Sequence, residues 1–412
     1  MHPPNPADAD ATADPSTSPS SRARRLFLRT TVVAAAILLA LVTAEAIVRI
    51  AGVDPVINVV YRRTFRLSEN KTLVYELNPG SPDGRFRISK QGLRDREFPY
   101  KKSDNTFRIV VLGDSVTYGF NTPRDQSYPK QLERLLNRCA GDTAPHFEVI
   151  NLGVTGYNIP QIVESLRTKG LRFHPDLIIY GYVLNDPQSY SLEAAALDDL
   201  NRQARQILGR AVPRGLAQAL SYSRLYRLYL AARLKPPRKV VGEIGDPGYM
   251  AFLLGSVRGY IRAIHNNPAP WKRIQDGLAD LAELTAGPRT IPLVMAVFPI
   301  AEKTGFADYA LADVHRKVIR EARRHGLTTL DLTAAYRTVE RQLDIKLFQD
   351  FLHPIANGHR VAATALLIWL SRSGLLPAGA IDLNRLTRDP AEDSADYAAI
   401  TAALLAQPSS TE

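Results

Sequence analysis

From residue 106 onward, short apolar runs alternate with stretches in which apolar residues return every third or fourth position. The runs TFRIVVL (106–112), HFEVINL (146–152), DLIIYGYV (176–183), IPLVMAVF (291–298) and LTTLDL (327–332) read as strands. The third is apolar without a break, which predicts a strand buried on both faces. SYPKQLERLLNRC (127–139), IPQIVESLRTKG (159–170), DVHRKVIREARRHG (313–326) and ANGHRVAATALLIWLSRSG (356–374) have helical spacing. Strands alternating with helices predict a parallel sheet covered by helices on both faces. Ligands of such sheets bind beyond the carboxyl ends of the strands, near a switch in strand order. The first three strands run into GDSVTYG, NLGVTG and LNDP, so these three ends are expected to share one crevice.

The front of the chain follows different rules. Residues 1–25 are rich in Pro, Ala, Ser, Thr and Asp without periodicity, which predicts disorder. Thr30 to Ala44 then holds no charged residue, with Arg22, Arg24, Arg25 and Arg29 standing before it. Those arginines stay cytoplasmic by the positive-inside rule, which sends the rest of the chain across the membrane. Two readings remain. The uncharged stretch and the AEA at 44–46 fit a cleaved signal peptide. Leu26 to Ile50 is also about 37 Å of helix, enough for a retained anchor with Arg29 and Arg49 snorkelling. In the second reading Glu45 and Arg49, four apart, pair at the outer interface.

With 412 residues and 45% hydrophobic composition the chain can bury a sizeable core. A single cysteine, Cys139, excludes an internal disulfide and any Cys-rich zinc site, and its place at a helix end gives it a structural role. Nearly the whole net charge of +11 comes from residues 201–240, which carry ten Lys or Arg and no Asp or Glu. Such a block suits anionic lipid or an acidic polymer. No zinc finger, RNP-like stretch or phosphate loop accompanies it, so nucleic acid is not expected as a partner.

The chemistry concentrates at the strand ends. Gly-Asp-Ser is in the first place a turn. It also presents Ser115 as a nucleophile, which needs a base and a group to orient that base. DFLHP (350–354) supplies both: His353 as base, and Asp350 three residues earlier to accept from its other ring nitrogen. Three donors are available for the oxyanion: the N–H of Ser115, the N–H of Gly156 and the side-chain amide of Asn185. None of this requires a metal or a cofactor. Plainer readings stand beside these. Asn151, Gly153 and Asn185-Asp186-Pro187 suit strand-ending turns, and DFLHP suits a helix-entry loop. His174, His315, His325 and His359 sit at element edges as surface or structural residues, while His265, in the loop-like IHNNPAP, is a weak alternative base.

The ordered set GDSVTYG, NLGVTG, LND and DFLHP resembles the four sequence blocks of the SGNH (GDSL-type) hydrolases, over about residues 107–373. The resemblance implies Ser115 as nucleophile, Gly156 and Asn185 completing the oxyanion hole, His353 as base and Asp350 as its partner. It also implies a three-layer α/β/α sandwich with a five-stranded parallel sheet, the flavodoxin-like SGNH fold. The chain departs from the family pattern in the third block, where Val183-Leu184 precedes Asn185 and the nearest glycine is Gly181. The first block has Val116 in place of leucine. QGLRDREF (91–98) and the N-terminal membrane segment resemble an exported bacterial subgroup of the family.

These readings divide the chain into a disordered cytoplasmic tail (1–25), a transmembrane anchor or signal peptide (26–50) and an N-terminal collar (54–105). The hydrolase domain follows (106–186 and 291–374), interrupted by an inserted helical lid-like lobe (187–290) and closed by a C-terminal tail (375–412). Within the lobe, the core segment 216–239 reads as a helix ended by Pro236-Pro237, with a Tyr/Leu face opposite Arg224, Arg227 and Lys235, and 242–250 and 266–271 as loops rimming the pocket. The expected function is an extracytoplasmic serine esterase acting on O-acetyl or short acyl esters of a small molecule or glycan. An O-acyltransferase for an exopolysaccharide would use the same residues, and a non-catalytic membrane-surface binding protein is the third reading.

Overall fold

The computed structural model of the chain describes residues 19–51, 64–188, 223–226, 228, 257–287, 290–301, 305–387 and 394–406. The chain forms two compact units, one of residues 1–57 and 215–233 and the other of residues 58–214 and 234–412.

The first unit is built on α1 (Pro19–Ile50). Its stretch Ala23–Ile50 is long and apolar enough to cross a membrane and none of it is buried in the protein. Large apolar side chains such as Phe27, Leu39 and Ile47 stand exposed along it. The expected pair forms, with Arg49 Nε donating to Glu45 at 2.7 Å. The same carboxylate accepts from the Ser223 hydroxyl at 2.8 Å and from the N–H groups of Arg224 and Leu225 at 3.0 and 2.9 Å. It thereby satisfies the free donors that open the helical turn at 224–226.

In the second unit five strands form one sheet: β5 (Thr106–Gly113), β6 (His146–Asn151), β7 (Leu177–Tyr182), β8 (Leu293–Val297) and β9 (Thr328–Asp331). Their order is β6-β5-β7-β8-β9 and every pairing is parallel. All six residues of β7 are buried, as its unbroken apolar run requires. On one face α3 (Tyr128–Arg138), α8 (Thr333–Gln342) and α9 (Ala356–Ser373) pack together, with α10 (Ala395–Leu405) on α8 and α9. On the other lie α4 (Ile159–Thr168), α6 (Pro268–Thr285) and α7 (Ala312–Arg324), with α5 (Val257–Asn266) against α6. The unit is a three-layer α/β/α sandwich in the flavodoxin-like strand order. The order reverses between β5 and β7, so the crevice lies at their carboxyl ends. Ahead of the sheet, two small antiparallel hairpins pair β1 (Phe65–Leu67) with β2 (Tyr75–Leu77) and β3 (Pro82–Asp83) with β4 (Phe86–Arg87).

Two local expectations are corrected. Residues 266–271 are no rimming loop: they join α5 to α6. Asn267 caps α6 by accepting from the Ala269 N–H, and Pro268 fits the first helical turn, where no N–H is needed. His265 therefore lies in α5 and is fully buried, not loop-placed. Its ring meets the Tyr182 hydroxyl at 2.9 Å and the Ile261 carbonyl at 2.7 Å, which removes it as a candidate base. Beyond α9 the chain forms a further helix, α10, which buries Ile400 and Leu404. The basic block at 201–240 and the segment 242–250 lie, apart from 223–226 and 228, outside the described residues.

Candidate active site

β5 stops at Gly113 and the chain turns directly into a single helical turn, α2 (Ser115–Tyr118). Asp114 makes that change of direction, its carboxylate accepting from the Val116 N–H at 2.9 Å as a helix cap does. Ser115 is thus the first residue of a helix at the mouth of the switch point. On the far side, the loop before α9 folds around Asp350. Its carboxylate accepts from the N–H groups of Leu352 and His353, both at 2.8 Å, and this turn aims the His353 ring.

The two loops meet across 238 residues. His353 Nε2 lies 2.9 Å from Ser115 Oγ, and His353 Nδ1 lies 2.9 and 3.1 Å from the two oxygens of Asp350. Burial works to raise the Asp350 carboxyl, but the hydrogen bonds from the His353 ring and the two backbone N–H groups outweigh it and hold it below its ordinary value. It therefore stays an acceptor for Nδ1, which leaves Nε2 free to take a proton from the serine. The Phe120 ring rests on the imidazole, centroids 4.8 Å apart.

Of the three expected oxyanion donors, Ser115 and Asn185 are brought together through Asp114. Among the described residues, the N–H groups of Ser115 and Gly156 donate to no protein acceptor. Gly156 holds a φ of +79°, a conformation that a side chain disfavours. Asn185 gives one amide hydrogen to Asp114 Oδ2 at 3.1 Å, leaving the second for a ligand. Asp114 is a functional residue that sequence reasoning passed over. It caps the nucleophile turn, tethers Asn185 and lies 3.3 Å from the Ser115 hydroxyl. Burial pushes its carboxyl up, against the opposing hydrogen bonds from Val116 and Asn185.

Two glycines explain how the loops come so close. A Cβ on Gly153 would lie 2.3 Å from the Tyr118 nitrogen, so only glycine lets the second loop press against α2. On Gly181 it would meet the Tyr128 hydroxyl at 2.3 Å and the Thr117 hydroxyl at 2.7 Å. Gly181 thus serves the underside of the nucleophile turn, which accounts for a glycine earlier in the third block. Asn151 is a brace: its amide donates to the Thr117 carbonyl at 2.9 Å and its oxygen accepts from the Gly153 N–H at 2.8 Å.

The collar holds this assembly from outside. Arg94 is buried, paired with Asp83 at 2.7 Å, and donates to the carbonyls of Tyr118, Gly119 and Thr122 at 2.8, 3.1 and 2.8 Å. Its neighbour Asp95 accepts from the Asn151 N–H at 3.1 Å and pairs with Lys130. Tyr75 donates from its hydroxyl to the Thr155 carbonyl at 2.6 Å, and Tyr157 donates to the Tyr75 carbonyl at 2.6 Å, clamping the Gly156 loop. Among the described residues no three His, Cys, Asp or Glu side chains come together as a metal ion would need.

Residues 111–361, more than half of the chain, match the GDSL-like Lipase/Acylhydrolase family. The chain belongs to the GDSL-like lipase/acylhydrolase family. As a GDSL-like hydrolase it is a serine enzyme acting on ester bonds. Several solved structures resemble this hydrolase at low identity. One is an alpha/beta hydrolase enzyme from the metagenome of Lake Arreo, Spain, at 17% identity, covering 65% of this chain and 96% of that one, with a TM-score of 0.36. Axe2, an acetylxylan esterase from Geobacillus stearothermophilus, is 16% identical over 66% of this chain and 97% of its own, with a TM-score of 0.36. A two-domain esterase active on acetylated mannans is 13% identical over 66% of this chain and 51% of its own, with a TM-score of 0.38. No curated protein matches the hydrolase.

Proposed function

We propose that the protein is an extracytoplasmic serine esterase that hydrolyses O-acetyl or short acyl esters through an acyl-enzyme on Ser115. The observation that carries the reading is the unbroken chain from Ser115 Oγ through His353 to Asp350, with contacts of 2.9 Å at each junction. In the first step Ser115 Oγ attacks the ester carbonyl while its proton passes to His353 Nε2, and Asp350 stabilises the imidazolium. The negative charge that develops on the carbonyl oxygen is met by the N–H groups of Ser115 and Gly156 and the amide of Asn185. Collapse breaks the bond to the alcohol, whose oxygen takes the proton back from His353. Water then enters by the same route, giving a proton to His353 and its oxygen to the acyl group. The bond from the acyl carbon to Ser115 Oγ then breaks, Oγ takes the proton back from His353, and the carboxylic acid leaves.

The same reading places α1 as a single-pass anchor, with the arginines before it on the cytoplasmic side and the hydrolase unit outside. Support comes from the exposed apolar surface of Ala23–Ile50 and from the saturated environment of Glu45, the carboxylate within it. The domain organisation proposed with it keeps 54–105 as a collar and 106–186 with 291–374 as the catalytic domain.

The test uses the full-length protein in detergent with chromogenic acetate, butyrate and octanoate esters, and Ser115→Ala as its counterpart. Turnover falling from acetate to octanoate, and at least about 10⁴-fold lower in Ser115→Ala, is expected. Turnover that survives Ser115→Ala would overturn the reading. Acyl groups delivered to an added glycan hydroxyl, with no free acid released, would make the protein a transferase built on the same serine.

A further inference from the structure

Beside the catalytic loops the second unit holds a cleft of about 700 Å³, walled by the two collar hairpins and the segment after α2. This is the size of a site for a small molecule or one to a few sugar rings. It reaches the reaction centre along two walls. Phe120 lines it and its ring rests on His353. Thr155 lines it one residue before Gly156. Since His353 returns its proton to the departing oxygen, the alcohol must leave on the His353 side, and the wall that touches His353 is Phe120. The cleft therefore faces the alcohol part of the ester.

Its lining is mixed. Thr64, Asn121, Gln126 and Thr155 offer hydroxyl and amide groups, and Phe65, Tyr118 and Phe120 offer ring faces. That combination suits a polyhydroxylated ring more than an alkyl chain. Its charge is one-sided: three arginines, Arg85, Arg94 and Arg124, face one aspartate, Asp83. Two of the arginines are already neutralised, Arg94 by Asp83 and Arg85 by Asp125 at 2.6 Å. Arg124 is not: among the described residues its guanidinium has no carboxylate partner and no hydrogen-bond acceptor. It is held instead by its flat face, 3.7 Å from the centroid of the Phe86 ring, with Arg85 over the same ring at 4.9 Å. Stacking of this kind fixes a guanidinium in place and uses none of its five N–H donors. A half-buried cation so held is a ready receptor for a planar carboxylate.

We propose that this cleft is the alcohol subsite of the esterase and that Arg124 selects an alcohol bearing a carboxylate, an O-acylated sugar acid. The inference rests on the esterase reading above and adds to it the class of substrate. Phe86 positions Arg124, and the hairpin of β3 and β4 carries the specificity.

The experiment compares acetate release from an O-acetylated galacturonic acid oligomer with release from its carboxyl-reduced counterpart, using the full-length protein in detergent. 4-Nitrophenyl acetate serves as an unselective ester. The wild type is expected to favour the acid form at least tenfold in kcat/KM. That preference should shrink as salt is raised from 20 to 500 mM, and should fall toward unity in Arg124→Gln while Arg124→Lys retains part of it. The salt series needs no variant, so it reads the same interaction even where a substitution disturbs folding. Equal rates on the two oligomers, no release from either, or a preference that survives Arg124→Gln in a protein melting like the wild type would overturn the carboxylate assignment. Failure on 4-nitrophenyl acetate as well would instead strike at the esterase reading itself.

Discussion

Asp114 joins two parts of the site, the turn at Ser115 and the amide of Asn185. One carboxylate oxygen closes the turn that presents Ser115, and the other holds the amide of Asn185. Because Asn185 can aim only one hydrogen at an oxyanion, its orientation depends on the bond to Asp114. Asn185→Ala is expected to lower kcat about 10²–10³-fold, the usual effect of losing one oxyanion donor. Asp114→Ala loses the aim of that amide and the cap of the Ser115 turn as well, so its loss should be at least as large. The double variant should be no worse than Asp114→Ala, because the amide contributes little once its tether is gone. Steady-state kinetics on the four proteins decide it, and losses that simply multiply would show that Asp114 acts separately. The candidates Ser115, His353 and Asp350 stood out in the sequence because each role asks for a particular functional group at a strand or loop end, and the structure brings the three side chains together. Asp114 hid in plain view, inside a triplet whose turn propensity already accounted for it.

At the level of elements, the collar is the mount of the catalytic loops. Arg94 reaches three carbonyls around the end of α2, and Tyr75 reaches the carbonyl before Gly156. Carbonyls are the same at every residue, so a side chain that binds them leaves no pattern in the sequence. This is why QGLRDREF could not be given a task from the sequence. The strands, by contrast, were legible to within a residue or two, most plainly β7 and β8, whose burial on both faces demands an unbroken apolar run. The loop expected at 266–271 failed for a local reason: Asn-Pro opens helices as readily as it breaks them. Arg94→Ala would leave Asp83 without its partner and three carbonyls unpaired. It is expected to cost about 3–5 kcal/mol of stability and to lower kcat with it. Thermal unfolding beside kinetics checks this, and a variant that melts with the wild type would show that the collar only leans on the site.

For the molecule as a whole, two buried histidines set a limit on the acid side. Burial holds His265 down to about 4 and His359 down to about 3, where the unfolded chain would titrate near 6.5. In the folded protein both rings stay neutral through that window while the unfolded chain takes up protons. The stability they contribute is therefore complete above about pH 6.5. It declines by about 1.4 kcal/mol per pH unit for each as the pH falls toward 4. His265→Gln removes one of the two titrations. Between pH 7 and pH 5 the wild type is expected to lose about 2 kcal/mol more than this variant, read from urea unfolding at both values. Parallel losses would show that His265 does not titrate with unfolding.

The contact between Ser115 and His353 spans 238 residues of chain, and that spacing has a consequence in time. Ribosomes add roughly 5–20 residues per second, so some 10–50 seconds separate the making of Ser115 from the making of His353. Under the proposed mechanism the hydroxyl has, over that interval, no base to receive its proton. Under that mechanism a chain that has not yet reached His353 is a harmless one, unable to cut esters.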